Sequence, residues 1–298
     1  MAEGPAIPLI QSTVMAESSE NRRAFNVGFV LSGAALFGEG LTPILSTAIA
    51  SHFDWRSSFY VLAIPGFIIA YILSKYLKEP KLSTTTKPYK PSLSDYKGVL
   101  QNRNVILSII TGILYMTSLF SSGTFLPLFL IDVGKYTAMQ ASIIISVYGV
   151  VLFVWNIVVA SISDKIGRKP TTMIFSFVAC LIPVAVMLFY SNYFLLMISL
   201  ALLAIGLGYQ TLIIFVIPGE SVPKAIMAST TALIILIGEV IGGSIGPYVG
   251  GILADKFTLF APLWFSLFVS FMLFLITFGF KETAPSKVNK TLLVSKKI

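Results

Sequence analysis

The sequence predicts an all-α protein that crosses a lipid bilayer several times. The chain has 298 residues, of which 56% are hydrophobic and only 11% are charged, and its mean hydropathy is +0.87. A soluble domain carries roughly 25% charged residues. Several apolar runs reach the length of about 20 residues with which a helix spans a membrane. Because these runs contain Gly and Pro and lack the two-residue alternation of membrane strands, helices are favoured over a barrel.

Eight of the apolar runs are long enough to be complete spans. In chain order they are Phe25–Ala50, Phe59–Leu77, Val105–Ile131, Ala138–Ile162, Thr171–Phe189, Phe194–Ile217, Ala225–Leu253 and Leu259–Phe280. A further run, Met1–Ala16, is too short to cross about 30 Å of hydrocarbon at about 1.5 Å per residue, so it predicts the last part of a ninth helix. The single cysteine, Cys180, lies inside a span, where we expect a small buried filler.

Basic residues are concentrated in alternate loops. Of the 21 Lys and Arg residues, 18 lie on one predicted side of the membrane, and only Arg56, Lys135 and Lys256 lie on the other. Positive residues are enriched in cytoplasmic loops, so the richer side and the C-terminus are predicted to be cytoplasmic. The net charge of +8 therefore sets the orientation, and no nucleic-acid partner is expected.

One long polar segment divides the spans into two groups. Residues 78–104 are basic and rich in Pro, Ser and Thr, which is typical of a linker between helical bundles. The predicted units are an incomplete N-terminal bundle at 1–77, a cytoplasmic linker at 78–104, a six-helix C-terminal bundle at 105–280 and a cytoplasmic tail at 281–298.

The two groups of spans show a weak internal repeat. A shift of 204 residues places Gly38 on Gly242 and Pro43 on Pro247, and it also aligns the spans and the loops. Agreement of identities, span boundaries and loop sides predicts a parallel duplication of one bundle.

The most polar stretch within the spans, SISDKIGRKP at residues 161–170, resembles a cytoplasmic loop signature of the major facilitator superfamily, Gly-x-Leu-Ala-Asp-Arg-x-Gly-Arg-Lys. The matching positions are Asp164, Gly167, Arg168 and Lys169. Lys165 replaces the usual arginine, and Ala160 replaces the leading glycine. The resemblance implies a fold of two six-helix bundles, in which this chain supplies the equivalents of helices 4–12.

The same resemblance implies that three spans and the start of a fourth precede the chain. We therefore expect Met1 to be an internal methionine taken as a start, or the edge of a deletion. In-frame upstream DNA is then expected to encode roughly 100 further residues that form three apolar spans, with an Asp-x-x-Gly-Arg-like loop after the second.

The spacing within the loop also has a physical interpretation. We expect Gly167 to permit a tight turn, Asp164 to meet the unpaired N–H groups of the next helix, and the basic pair to hold the loop at the membrane surface. The resemblance implies that this loop pairs charges across helices and helps to hold one conformation. The alternative is a basic loop that only sets topology.

Two further resemblances are partial. Glu220 and Pro223 match a Glu-x-x-Pro at the end of the tenth helix of solute porters, but Met227 occupies the position of an expected basic residue. In the front half, Glu17 and Arg23 are kept while the proline is absent.

A glycine stripe marks the span Ala225–Leu253. Its members and the adjoining proline are Gly238, Gly242, Gly246, Pro247 and Gly250. Glycines at every fourth position allow close approach of two helices. The resulting contact is either static packing or, as we favour, a sliding contact between the bundles. The Gly-Pro pattern resembles a signature that drug antiporters carry in their fifth helix, and its different place here argues against drug efflux without excluding it.

Two carboxylates lie near the middle of spans, Glu39 and Glu239. Ionisable residues at that depth cost roughly 2.5–3.5 kcal/mol to insert and mark function by default. The repeat brings Glu39 to within one helical turn of Glu239, so we expect both to occupy similar environments and to couple transport to protons. The alternative is a carboxylate satisfied by neighbouring hydroxyls or water.

The resemblance implies that the first helix of each three-helix unit lines a central cavity. The polar residues that this assigns to substrate contact, together with one from the adjoining span, are Gln11, Tyr115, Thr117, Ser118, Ser121, Ser122, Asn156, Tyr209, Gln210 and Thr211. Ser and Thr also occur in membrane helices by bonding their own backbone, so packing is the alternative for each of them.

These features predict a secondary active transporter in the plasma or inner membrane. It is expected to move a small organic solute, such as a sugar or an organic acid, by alternating access, as a proton-coupled symporter or antiporter and as a monomer when full length. The alternatives are multidrug efflux and a membrane sensor or fragment without transport. The sequence carries no Cys/His metal motif or phosphate-binding loop, so no enzyme activity, metal or cofactor is expected.

Overall fold

Long helices make up nearly all of the part of the chain that is described. The computed structural model describes residues 6–20, 22–76 and 98–288, and no strand occurs in these ranges. The long helices are α1 (Ala6–Glu17), α2 (Arg23–His52), α3 (Trp55–Tyr76), α4 (Arg103–Asp132), α5 (Ala138–Ile166), α6 (Arg168–Phe189), α7 (Tyr193–Glu220), α8 (Lys224–Lys256) and α9 (Phe260–Thr277). Helices α2 to α9 are long and apolar enough to cross a membrane, which confirms the eight predicted spans. Residues 78–97 of the predicted linker and 289–298 of the tail lie outside the described residues.

Neighbouring side chains cap the starts of several helices. Asn102 accepts from the backbone N–H groups of Asn104 and Val105 at the start of α4, and Thr137 forms a capping box with Gln140 at the start of α5. Gly167 separates α5 from α6 with a φ of 115°, a conformation that favours glycine. The tight turn expected at Gly167 is therefore present.

Three of the long helices contain a π-helical segment, and two of these segments, in α2 and α8, lie at related positions. The π segment of α2 is Ala35–Leu41, and that of α8 is Gly238–Gly242. The repeat offset moves the first segment onto residues 239–245, so the two overlap. Short π segments inside helices occur frequently at functional sites. The backbone thus agrees with a duplication, and both mid-membrane carboxylates lie in these segments.

The glycine stripe of α8 packs against α4. A Cβ on Gly246 would lie 2.5 Å from the Thr117 carbonyl oxygen, and one on Gly238 would lie 3.2 Å from the Gly112 carbonyl oxygen. Gly242 and Gly250 face the same helix, at Ile113 and Phe125. Since α4 and α8 belong to one predicted bundle, the expectation of a sliding contact between bundles is wrong for this face. The glycines provide close packing within the bundle.

The front helices α1–α3 contact the back helices α4–α9 mainly through α2. This helix runs antiparallel to α5 and touches it along its length: the Phe25 N–H donates to Asp164 Oδ2 at 3.0 Å near one end, and the Thr47 and Ser142 hydroxyls are 2.6 Å apart near the other. Midway, Gly149 lies against the backbone of Glu39 and Gly40. Helix α3 packs on α2 and is otherwise largely exposed.

Adding one methyl group to the glycine stripe is expected to destabilise the protein. Gly246→Ala places a Cβ against the α4 backbone, and such overpacking costs about 1–3 kcal/mol. Gly251→Ala is the matched control, because no atom lies within 4 Å of its added Cβ. We expect a lower thermal unfolding midpoint in detergent for the first variant only. Equal midpoints would contradict the close contact between α4 and α8.

Candidate functional site

A cavity of about 420 Å³ lies between α2 and the back helices. Its polar side chains are Glu39, Ser122, Thr124 and Tyr148, and much of the remaining lining is apolar, including Phe120, Leu126, Ile145, Leu200 and Leu263. No Lys, Arg or His is among the described residues that line it. The cavity therefore combines an apolar surface with one carboxyl group and several hydroxyl groups.

A smaller pocket of about 50 Å³ extends from this cavity into the back helices. Ser122 and Tyr148 line both spaces, so they mark the place where the two adjoin. Deeper in, the Tyr115 hydroxyl donates to Gln210 Oε1, and the Ser118 and Ser270 hydroxyls are 3.2 Å apart. The pocket is large enough for a solute hydroxyl group or a few water molecules.

Helix α4 presents only part of its polar residues to these spaces. Tyr115, Ser118 and Ser122 line the small pocket, since residues three and four apart share one helix face. Thr117 and Ser121 point elsewhere: the Thr117 hydroxyl donates to the Ile113 carbonyl at 2.8 Å, and Ser121 is fully buried beside Ser266. Their expected place in the cavity is therefore wrong.

The other candidates from the sequence divide in the same way. Tyr209 lines the small pocket and packs edge-to-face on Tyr115, with ring centroids 6.0 Å apart. Gln210 reaches this site through Tyr115. By contrast, Gln11, Asn156 and Thr211 are buried and are not among the residues that line either space.

Three polar lining residues were missed from the sequence: Thr124, Tyr148 and Ser270. Tyr148 and Ser270 lie on helices that are not the first of a three-helix unit, whereas Thr124 lies on α4 within one turn of the last predicted candidates. Tyr148 immediately precedes Gly149, where α2 and α5 approach most closely. A tyrosine next to a glycine in a long apolar span was the signal available for it.

The two mid-membrane carboxylates occupy different surroundings. Glu39 lines the cavity, and its backbone contacts Gly149. Glu239 is exposed on the outer side of α8, away from the glycine stripe. The expectation of similar environments is therefore wrong within the described residues, because α2 is covered by α5 while this face of α8 has no comparable neighbour there.

A buried charge cluster lies at the end of the helices that carries the basic loops. Arg168 is 1% exposed, and its guanidinium binds Glu220 through two hydrogen bonds, with Nε–Oε2 at 3.2 Å and Nη2–Oε1 at 3.0 Å. Its Nη1 donates to Asp164 Oδ1 at 2.6 Å. The expectation that both basic residues hold the loop at the surface is wrong for Arg168, because two carboxylates bind it in the interior.

The loop aspartate caps a different helix from the one expected. Asp164 accepts from the Phe25 N–H at the start of α2, whereas the start of α6 is capped by Glu282, which accepts from the N–H groups of Arg168 and Lys169 at 2.8 and 3.2 Å. A carboxylate at a helix N-terminus is stabilised by unpaired N–H groups and the helix dipole. Asp164 therefore connects the front helices to the back helices.

Arg23 places a basic residue beside Glu220. The Glu-x-x-Pro pattern of the back helices lacks one, because Met227 occupies the expected basic position. Met227 packs near Gly219, and the repeat offset relates Met227 to Arg23. The Arg23 guanidinium lies 3.7 Å from Glu220 Oε1 and also donates to the Met15 carbonyl. The front half thus supplies the second cation beside Glu220.

Every carboxylate oxygen in this cluster has a partner. Glu220 Oε2 accepts from the Thr283 hydroxyl at 2.7 Å in addition to Arg168, and the Ser163 hydroxyl accepts from Arg168 Nη1. Fully satisfied buried networks are rigid, whereas a partly satisfied one is costly. The geometry favours one arrangement of α2, α5, α7 and the segment after α9.

The family model of the Major Facilitator Superfamily matches residues 1–239 and 135–295. The chain is 26% identical over 263 residues to the uncharacterized MFS-type transporter YtbD of Bacillus subtilis (strain 168), covering 86% of this chain and 64% of that protein. It is 26% identical over 265 residues to a probable 4-methylmuconolactone transporter of Cupriavidus pinatubonensis, covering 84% and 59%. A hexuronate transporter of Bacillus subtilis is 27% identical over 179 residues, covering 57% and 42%. The chain thus spans about three fifths of the first two relatives.

The fold matches that of a solved structure. The crystal structure of the E. coli fucose:proton symporter FucP superposes with a TM-score of 0.65 at 13% identity, covering 92% of this chain and 73% of that chain. A second structure of FucP, in the outward conformation, gives a TM-score of 0.64. At this identity the likeness establishes the fold.

Removing one partner from the charge cluster is expected to destabilise the protein strongly. Glu220→Gln leaves the buried Arg168 with one carboxylate fewer, and breaking a buried pair costs about 3–5 kcal/mol. We expect Glu220→Gln to lower the thermal unfolding midpoint strongly. The double variant Arg168→Met, Glu220→Leu should lower the midpoint by less than the sum of the falls caused by Arg168→Met alone and Glu220→Leu alone. Lys165→Met, at an exposed position in the same loop, is the control. Additive losses in the double variant would contradict a direct coupling.

Proposed function

Because the chain belongs to the major facilitator superfamily and has eight helices able to cross a membrane, we propose that its protein moves a small organic solute by alternating access, coupled to protons. The observation that carries the proposal is Glu39, a carboxyl group on the cavity between the front and back helices. Carboxylates inside membrane segments mark proton relays and substrate paths.

Glu39 is well placed to link proton binding to helix movement. It lies in the π segment of α2, the helix that makes most contacts between the two groups, and its backbone lies against Gly149 of α5. A proton that binds the Glu39 carboxylate neutralises its charge. Because no cation is among the described residues that line the cavity, this step changes the net charge of the lining. Proton binding at Glu39 would thus act at the contact between the two groups of helices.

The charge cluster supports closure at one end. Asp164 binds the N-terminus of α2 while Arg168 binds Glu220, so the basic ends of α2, α5 and α7 are held together. We infer from the loop charges that this end and the C-terminus are cytoplasmic, and that residues 1–77 and 105–280 form two bundles joined by a cytoplasmic linker. In a plasma or inner membrane, the conformation described is then closed toward the cytoplasm.

The cavity suits a solute with both polar and apolar parts. The lining includes the hydroxyl groups of Ser122 and Tyr148 and apolar side chains such as Phe120 and Leu263. The relatives named for hexuronate and 4-methylmuconolactone, and the structural neighbour named for fucose, suggest a sugar or an organic acid. The large apolar surface also favours, as a second candidate, efflux of an amphiphilic compound.

Proton-coupled transport is expected to require Glu39 and to tolerate loss of Glu239. The full chain is reconstituted in liposomes that contain a pH-sensitive dye, and proton movement is followed on addition of D-glucuronate, L-fucose or an amphiphilic cationic dye. Glu39→Gln should abolish solute-linked proton movement while exchange of labelled solute continues, because the glutamine binds no proton. Glu239→Gln is the matched control, since Glu239 lies outside the cavity.

Two results would contradict the roles proposed for Glu39 and for the chain. Proton movement at the wild-type rate in Glu39→Gln would exclude Glu39 as the coupling group. Absence of solute-linked proton movement and of exchange for all three probes with the unaltered chain would count against transport by this chain.

A further inference from the structure

The π segment of α2 ends almost directly before a proline, at the level of the cavity. The segment is Ala35–Leu41, and Thr42 and Pro43 follow it. Gly38, Glu39 and Pro43 are all among the residues that line the cavity. A backbone carbonyl accepts from the N–H four residues later in an α-helix and from the N–H five residues later in a π-helix. A proline next to a π segment therefore interrupts both patterns.

The carbonyl of Gly38 loses both of these donors. Its α-type donor would be the Thr42 N–H, but this group donates to the Phe37 carbonyl instead. Its π-type donor would be the N–H of residue 43, which is a proline and has none. The Thr42 hydroxyl also donates to the Phe37 carbonyl, at 2.9 Å, so it reinforces the π pattern and does not relieve Gly38. The Gly38 carbonyl thus has no donor in either helical pattern.

Other oxygen atoms on the cavity lining also lack partners. The groups concerned are the Glu39 carboxyl group and the hydroxyls of Ser122 and Tyr148, and none of them takes part in a hydrogen bond or an ion pair with a described residue. Together with the Gly38 carbonyl, four groups on one cavity therefore offer unpaired oxygen atoms. Such groups are costly within a membrane segment unless something binds them, so the set indicates a ligand.

The chemistry of these four groups suits a small monovalent cation. All of them supply oxygen, the ligand that hard cations prefer, and the described residues of the lining bring no nitrogen or sulfur side-chain ligand. In membrane transporters, backbone carbonyls freed where a helix is interrupted coordinate Na⁺. The single carboxylate balances one positive charge, whereas a divalent ion would leave an uncompensated charge inside the membrane, which is costly. Sodium therefore fits both the charge and the type of the groups.

We propose that this part of the cavity is a sodium-binding site, in which the Glu39 carboxylate, the Gly38 carbonyl and the Tyr148 hydroxyl hold the ion. The inference rests on the proposed function and deepens it, because Glu39 is also the proposed proton-binding group and the two cations exclude each other there. Gly38 and Glu39 lie on α2, while Tyr148 lies on α5. The bound ion thus joins the front helices to the back helices.

The related segment of α8 lacks this arrangement. The repeat offset places Pro43 on Pro247, but the π segment of α8 ends at Gly242, and the α-helix resumes at Gly243 before the proline is reached. Pro247 is also not among the described residues that line the cavity. The close succession of π segment and proline therefore distinguishes α2 from α8, and Pro247 provides a matched control for Pro43.

Equilibrium binding of radioactive Na⁺ to the purified full chain in detergent tests the site directly. Unlabelled Na⁺, K⁺ and methylammonium are added as competitors at equal ionic strength. We expect saturable binding of one sodium ion per chain. Potassium and methylammonium should compete at least about tenfold more weakly, because both are larger than Na⁺.

Pro43→Ala is the decisive variant. It supplies the missing N–H to the Gly38 carbonyl and leaves Glu39 in place, so we expect the affinity for Na⁺ to fall at least about tenfold. Its thermal unfolding midpoint in K⁺ should be equal or higher, because a proline is removed from a helix interior. Pro247→Ala is the control and should bind Na⁺ as the unaltered chain does.

Two side-chain variants test the other ligands independently. Glu39→Gln should abolish sodium binding, because it removes the only charge that balances the ion among the described residues of the lining. Tyr148→Phe removes one hydroxyl group and should weaken the affinity. Glu239→Gln should leave the affinity unchanged, since Glu239 lies outside the cavity.

Three results would overturn the proposal. The first is the absence of saturable sodium binding to the unaltered chain, since water would then suffice for these oxygen atoms. The second is unchanged sodium affinity in folded Pro43→Ala or Tyr148→Phe. The third is competition by methylammonium that equals competition by Na⁺, because the groups would then recognise the ammonium group of a solute.

Failure of this proposal can be told apart from failure of the proposed function. Sodium binding without solute-linked proton movement would retain the sodium site and remove proton coupling. Solute-linked proton movement that requires Glu39, in a chain that binds no Na⁺, would retain proton coupling and remove the sodium site.

Discussion

The buried guanidinium of Arg168 is the constraint on which the basic end of the molecule depends. A charge at 1% exposure is tolerated only when its surroundings replace the lost hydration, and here two carboxylates and a hydroxyl do so. Asp164 uses its second oxygen for the N-terminus of α2, and Glu220 Oε2 accepts from the Thr283 hydroxyl as well as from Arg168. A single buried cation thereby holds together the ends of α5 and α7, the start of α2 and the segment after α9.

Contact between α2 and α5 extends the effect of the Arg168 cluster to the interface between the front helices α1–α3 and the back helices α4–α9. Glycines at Gly28, Gly40 and Gly149 allow the two backbones to approach along the pair, and polar contacts close it near both ends. Because van der Waals packing is the main attraction between helices in a membrane, such small residues decide where helices meet. The same pair carries the cavity carboxyl group. The proposed proton-binding group and the proposed movement therefore share one interface.

The repeat offset relates the backbones of α2 and α8 better than it relates their side chains. The π segments of α2 and α8 overlap under one offset, yet Glu39 lies on a cavity and Glu239 lies on an exposed face. Likewise, Arg23 supplies the cation that its counterpart Met227 lacks. Equivalent positions have thus acquired different roles, because each half meets a different neighbour.

The sequence by itself determined the number of spans, their approximate bounds, the grouping of the basic loops at one end of the helices and the turn at Gly167. These properties depend on local hydropathy, charge and backbone freedom, which can be read from a window of about 20 residues. Tertiary structure alone decided that Asp164 caps α2 rather than α6, that Arg168 is buried, that the glycine stripe faces α4, and that Tyr115 but not Thr117 reaches the pocket. The physical reason is that nearly every side of a membrane helix is apolar, so hydropathy does not tell which face meets which neighbour. The residues that contact each other also lie far apart in the chain, as for Phe25 and Asp164, which are 139 residues apart.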